Sequence, residues 1–257
     1  MFWRRVFMPE FVKPVSDLIL DKSKINTYLA CPYRYKLQYI DNIRPAPTIE
    51  ISIGRIFHEI SGRYYSLVSV DALKADFISH SRAVLYDMIE DESMKPVLMP
   101  LVENFVLYEY ERWKFTNGDF ELFKPVAVEK YYCCKEVGLE GTIDRLFKDA
   151  GSHVVLEMKT GEFKPYPATQ SALKREVIIY SWLVRLNGID VRAGCLYFPR
   201  NNIHVVYEDE VNDVNVFNRI LHKANQVREK IEKNVFPQVR SGLCRFCGYK
   251  NICYAHT

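Results

Sequence analysis

The sequence predicts an α/β domain: a mixed sheet core flanked by helices, with a helical lobe in the N-terminal half. Three observations predict it. Helical apolar spacing dominates up to about residue 120, strand signals then cluster between 124 and 159, and the remainder alternates helix, strands and helix. The apolar run Val154-Val155-Leu156 reads as a strand covered on both faces, as in a sheet with helices on each side.

Each element follows from local signals. Ser23 reads as the cap of a first helix carrying Ile25, Tyr28 and Leu29, and Pro32 starts a further turn continued by Tyr35, Leu37 and Ile40. Pro45 and Pro47 make 41–50 a loop, and a helix is expected from about Ile51 to Ser66. Residues 70–115 read as helical, with Phe77, Val84, Leu85, Met88, Val97, Leu98, Leu101, Phe105 and Tyr108 as core candidates. Strands are expected at 124–136, 139–148 and 153–159, then a helix from about Thr169 to Leu186 that Asn187-Gly188 ends. Strands at 191–199 and 203–208 flank the turn Arg200-Asn201-Asn202, a last helix covers about 213–234, and Pro237 precedes a cysteine-rich tail. The expected organisation is one domain over 1–257, with a helical lobe at 20–120, a core at 121–235 and the tail at 236–257.

A chain of 257 residues, 48% hydrophobic and 14% aromatic, buries a substantial core. The net charge of +3 does not by itself specify a nucleic-acid partner. Its distribution leans that way: Lys223, Arg228, Lys230, Lys233, Arg240, Arg245 and Lys250 face only Glu229 and Glu232 within 221–250. Met1–Val12 is apolar but short and interrupted by Arg4, Arg5 and Glu10, so it reads as neither a signal peptide nor a membrane span. No membrane role and a cytoplasmic setting, where cysteines stay reduced, are expected.

Chemistry concentrates at Asp144, Glu157 and Lys159. If Ala150-Gly151 form a two-residue hairpin loop, positions whose numbers sum to 301 face each other, and Asp144 and Glu157 are such a pair. Two carboxylates then sit with β-carbons roughly 5 Å apart, and Lys159, two residues past Glu157, projects from the same face. Such repulsion is offset by a shared proton, a basic partner or a cation; oxygen ligands suit Mg²⁺ or Mn²⁺. Lys159 is a natural companion for phosphate chemistry, able to orient a water or neutralise a phosphoryl oxygen. A surface ion cluster is the other reading of this spacing.

Seven cysteines occur, and Cys244, Cys247 and Cys253 form a C-x2-C-x5-C run that lets three thiolates converge. Cys31, followed by Pro32 at a helix start, is the best fourth ligand for either an iron–sulfur cluster or a zinc ion. Cys133, Cys134 and Cys195 read as core residues. His58, in G-R-I-F-H-E-I, is a lone helical histidine. Glu176 and Tyr180 lie four apart on one helix face, where Lys159 is a candidate partner for the acid. Tyr33, Tyr35 and Tyr166 are candidates for stacking on bases.

Together these segments resemble the PD-(D/E)xK nucleases of the RecB-like type, in the branch with the CRISPR-associated Fe–S nucleases and the AddB-type repair nucleases. The residues are I-N-T-Y-L-A-C-P-Y-R-Y-K-L-Q-Y at 25–39, G-R-I-F-H at 54–58, G-T-I-D-R-L at 141–146, L-E-M-K-T-G at 156–161 and the cysteine run at 244–253. The resemblance implies a restriction-endonuclease-like mixed sheet and a metal-dependent deoxyribonuclease, an exonuclease on single-stranded DNA acting in CRISPR adaptation or DNA repair. It implies that His58, Asp144, Glu157 and the Met158 carbonyl bind Mg²⁺ or Mn²⁺, and that Lys159 is the catalytic lysine. It assigns Cys31, Cys244, Cys247 and Cys253 to a [4Fe–4S] cluster. One departure stands out: the family's Q-x-x-x-Y becomes E-V-I-I-Y, with Glu176 in place of glutamine and Tyr180 retained. An ionised Glu cannot donate the hydrogen bond a Gln can. The alternative reading is therefore a catalytically weak Fe–S adaptor that binds DNA beside a CRISPR integrase or a repair helicase. A zinc module on an unrelated α/β fold is a third reading.

Overall fold

The computed structural model describes residues 10–253; most of Met1–Val12 and the last four positions of the tail lie outside them. Helices come first: α1 (Lys22–Ala30), α2 (Pro32–Tyr35), α3 (Ile49–Leu67), α4 (Val70–Ala75), α5 (Phe77–Asp87), α6 (Lys95–Phe115) and α7 (Phe120–Phe123). The strands β1 (Ala127–Cys134), β2 (Leu139–Asp149) and β3 (Ser152–Met158) follow, then α8 (Pro167–Leu186), β4 (Ala193–Phe198), β5 (Ile203–Tyr207), α9 (Asp209–Asn212) and α10 (Val214–Glu232). The five strands form one sheet in the order β1-β2-β3-β4-β5. Only β3 and β4 are parallel. A parallel pair needs a long crossover, and α8 supplies it.

The caps explain the helix limits. Asp21, rather than Ser23, caps α1, its carboxylate accepting the Lys24 N–H at 2.7 Å. Pro32 opens α2, whose path continues as a π turn over Lys36–Ile40. The helical stretch at 70–115 is broken twice, at Asp76 and near Asp91, because each aspartate accepts the backbone N–H of a serine downstream and starts a new helix.

The sheet is covered on both faces, and Val155 and Leu156 divide between them. Val155 joins a cluster with Val177, Ile178 and Leu183 of α8 and Phe217 and Leu221 of α10. Leu156 joins one with Phe57 of α3 and Leu98, Leu101 and Phe105 of α6. The expected lobe at 20–120 is split between these faces. Ile25, Tyr28 and Tyr35 pack with α8 and α10, whereas α3 to α7 cover the other side. The tail returns to the N-terminal helices: the Tyr33 N–H donates to Pro237 O at 3.2 Å, and the Tyr249 hydroxyl donates to Ile43 O at 3.0 Å.

Gly194 lets α8 approach β4 closely: a β-carbon there would lie 2.1 Å from Val177 Cγ1 and 2.9 Å from Ser181 Oγ. Gly194→Ala is expected to cost about 1–3 kcal/mol through overpacking. Urea unfolding followed by circular dichroism checks this, and an unshifted midpoint would contradict it. Among the described residues no helix is long and apolar enough to cross a membrane.

Candidate metal centre

The turn between β2 and β3 is the expected two-residue loop. Ala150 and Gly151 have φ of 47° and 83°, the paired positive values of a tight hairpin turn. Asp149 pairs with Ser152 and Arg145 with Leu156, the register that sums to 301. Beyond Arg145 the two strands part, and side chains take over the hydrogen bonding. Asp144 N–H donates to Glu157 Oε1 at 3.0 Å, and Met158 N–H donates to Asp144 Oδ2 at 2.6 Å. Each carboxylate thus satisfies a backbone donor freed by the other strand's departure. Strand β3 keeps its pairing with β4, the Lys159 N–H donating to Tyr197 O at 2.8 Å.

The parted ends reach two helices. Asp144, 7% exposed, meets His58 of α3, with Oδ1 3.4 Å from Nδ1. Glu157, 2% exposed, lies with Oε2 3.6 Å from Lys159 Nζ, and that ammonium donates to Glu176 Oε1 of α8 at 2.8 Å. Tyr180, one turn beyond Glu176, is buried with its ring over Gly141, where a β-carbon would lie 2.4 Å from Cε1. All four elements therefore converge where β2 and β3 separate.

Sequence reasoning missed Glu129. In the β1–β2 ladder, positions summing to 273 pair, as Val128 does with Arg145 and Lys130 with Ile143, so Glu129 stands opposite Asp144. Its φ of 45° is rare for a non-glycine residue inside a strand. Its Oε1 lies 3.5 Å from His58 Nδ1. Ligand atoms of His58, Glu129 and Asp144 all fall within 4.8 Å of one another. The signal that finds it is the same pairing arithmetic applied to the earlier hairpin. Arg145 was also passed over. It is fully buried, and Nη1 donates to Asp144 O at 2.6 Å while lying 3.5 Å from Glu129 Oε1; Nη2 donates to Ser61 Oγ of α3 at 3.1 Å.

The electrostatics match a site built for a cation. Burial pushes the Glu157 carboxyl well up, and the Asp144 charge adds to it. Burial also opposes ionisation of Asp144, but His58 outweighs it and holds Asp144 low. Burial disfavours the His58 imidazolium, yet hydrogen bonding to the Asp144 and Glu129 carboxylates raises its pKa to about 9. Lys159 is raised despite burial, because Glu176 and Glu157 surround it; it remains an ammonium, suited to orienting rather than taking a proton. Glu176 is lowered, since Lys159 and Lys22 outweigh its burial.

Metal binding at His58 must therefore expel the imidazolium proton. The imidazolium pairing stabilises the metal-free fold below the ordinary imidazole range, and that contribution is lost as pH rises through about 9. Mn²⁺ affinity is accordingly expected to rise up to pH 9, by about tenfold per unit for each proton released. Calorimetric titration across pH 6.5–8.5 checks this; a flat affinity contradicts it.

A family model for the PD-(D/E)XK nuclease superfamily matches residues 22–254. The chain belongs to the PD-(D/E)XK nuclease superfamily. Membership makes it a metal-dependent nuclease with DNA as the implied substrate, and Mg²⁺ or Mn²⁺ as the metals its acidic centre takes. No curated protein matches the chain significantly. Among solved structures 19 chains match. One, "Crystal structure of SSO0001", is similar at 16% identity over 92% of this chain and 94% of that one, with a TM-score of 0.35.

The four cysteines of the sequence motif line one cavity, together with Tyr33, Arg34 and Tyr249. All seven cysteines are free thiols. Of the expected stacking residues, Tyr35 is 3% exposed and packs against Tyr28, Tyr39 and Phe236, so it cannot meet a base. Tyr166 is 65% exposed. Lys174 is engaged by Glu210 at 2.5 Å.

Proposed function

We propose that this nuclease is an exonuclease on single-stranded DNA, of the RecB-like Fe–S type, acting in CRISPR adaptation or DNA repair. The observation that carries the reading is the acid pair Asp144 and Glu157 at the parting of β2 and β3, with Lys159 beside Glu157. His58, Asp144, Glu157 and Met158 are the proposed ligands, with Glu129 close enough to join them. When bound there, a divalent ion would polarise the phosphate and lower the pKa of a water. Lys159, held as an ammonium, orients that water and offsets charge on the phosphoryl oxygens. Arg145 fixes the Asp144 carbonyl against α3, which keeps His58 and Asp144 in register. Tyr166 is available for stacking on an unpaired base.

Cys31, Cys244, Cys247 and Cys253 are proposed to hold a [4Fe–4S] cluster that ties the tail at 236–257 to the N-terminal helices. Their donor set is four thiols around one cavity. Free thiols also fit a reducing, cytoplasmic setting. The second reading, an adaptor with weak nuclease activity beside a CRISPR integrase or repair helicase, draws on the Glu176–Lys159 ion pair.

A time course on single strands labelled at either end separates the two. Progressive shortening from one labelled end in Mn²⁺ supports the exonuclease. DNA binding without cleavage supports the adaptor. Iron with acid-labile sulfide, rather than zinc, in the purified protein supports the cluster.

A further inference from the structure

Glu176 has a second cation. Lys22, the first residue of α1, contacts the same Oε1 atom that Lys159 approaches at 2.8 Å. The carboxylate is 3% exposed, while the Lys22 and Lys159 side chains are 23% and 22% exposed. The position of Lys22 is fixed from both sides. Before it, Leu20 is fully buried and bridges to β2, its N–H donating to Gly138 O at 3.1 Å and its carbonyl accepting the Glu140 N–H at 3.1 Å. After it, the Asp21 cap orders the first turn of α1. The ammonium also lies 5.9 Å from the centre of the Tyr180 ring. Two ammonium groups from distant segments thus share one buried carboxylate.

We propose that Lys22 is a positioning residue for the cleavage reaction, keeping Lys159 electrostatically active by sharing Glu176 with it. The inference rests on the nuclease reading above. An ammonium paired one to one with a buried carboxylate presents almost no net field to a substrate. Two ammonium groups on one carboxylate leave the trio with a net positive charge, directed at Glu157 and the phosphate beside it. Without Lys22, Glu176 neutralises Lys159 and draws it away from Glu157. The same sharing explains how a carboxylate can stand at position 176 beside the acids of the centre without adding an uncompensated charge.

The test is a cycle of Lys22→Met, Glu176→Gln and the double variant, with Lys22→Arg as the conservative change. Single-turnover cleavage of a labelled single strand in Mn²⁺ is measured at saturating protein, and thermal melting is measured without metal. Lys22→Met is expected to slow cleavage by about 10–100-fold. Lys22→Arg recovers most of that loss, and the double variant returns to the rate of Glu176→Gln alone. Melting follows the same pattern, lowered by Lys22→Met and recovered in the double variant. A double variant as slow as Lys22→Met, or Lys22→Met cutting at the native rate, would overturn the proposal. Native protein that cuts no DNA would instead remove the nuclease reading, and the melting cycle alone would then decide the charge sharing: recovery supports it and additive losses overturn it.

Discussion

Asp144→Asn is expected to lower the rate of DNA cleavage by at least about a thousandfold, equivalent to roughly 4 kcal/mol of lost transition-state stabilisation. The substitution is nearly isosteric, so a side-chain carbonyl can still accept the Met158 N–H that Asp144 Oδ2 accepts at 2.6 Å. What disappears is the charge. His58, raised to about 9 by its acidic partners, loses the nearer of them, and Glu157, raised first by burial, loses the neighbouring charge that adds to the rise. A divalent ion would then meet one fewer anionic ligand. The check is single-turnover cleavage in Mg²⁺ and Mn²⁺, with circular dichroism confirming that the variant is folded. A variant that cuts within tenfold of the native rate would remove Asp144 from the reaction.

Arg145→Ala carries the largest expected effect on stability, a loss of about 3–5 kcal/mol. The guanidinium is fully buried and holds three elements at once: the Asp144 carbonyl on β2, Glu129 on β1 and Ser61 on α3. Truncation removes these hydrogen bonds, leaves Glu129 with His58 alone of its two basic neighbours and opens a cavity beside Gly62. Because His58 also sits on α3, the loosened contact should weaken metal binding even in molecules that remain folded. Urea unfolding measures the first effect and Mn²⁺ titration at low urea the second. A stability change below about 1 kcal/mol would mean that Arg145 is not the tie its contacts indicate.

Much of the centre was legible because a two-residue turn leaves no freedom of register. Ala150 and Gly151 set a register that pointed Asp144 at Glu157, although the ladder ends one pair short, at Arg145 and Leu156, and the run from Val154 to Leu156 located the covered strand that leads to the acids. Glu129 was harder to find. Its pairing depends on the wider turn at Lys135–Gly138, and its positive φ is an outlier that no residue preference signals. Lys22 was invisible for a different reason: its partner lies 154 positions away, a contact set by how Leu20 docks on β2. The strand-rich middle also hid the division of the N-terminal helices between the two faces of the sheet. Nothing local distinguishes the apolar stripe of α1, which meets α8 and α10, from that of α3, which meets α6. Tyr35 failed as a stacking candidate because an aromatic residue near a functional motif looks the same whether it faces substrate or packs against Phe236.

The acids at the parting of β2 and β3 are expected to hold a divalent ion for phosphodiester cleavage. Mn²⁺ titration by calorimetry, with cleavage of a labelled strand followed in the same samples, tests it most directly. Expected are saturable Mn²⁺ binding in the native protein, its loss in Asp144→Asn, and cleavage that rises with Mn²⁺ occupancy and vanishes in EDTA. Equal Mn²⁺ affinity in Asp144→Asn, with cleavage undiminished in EDTA, would contradict it.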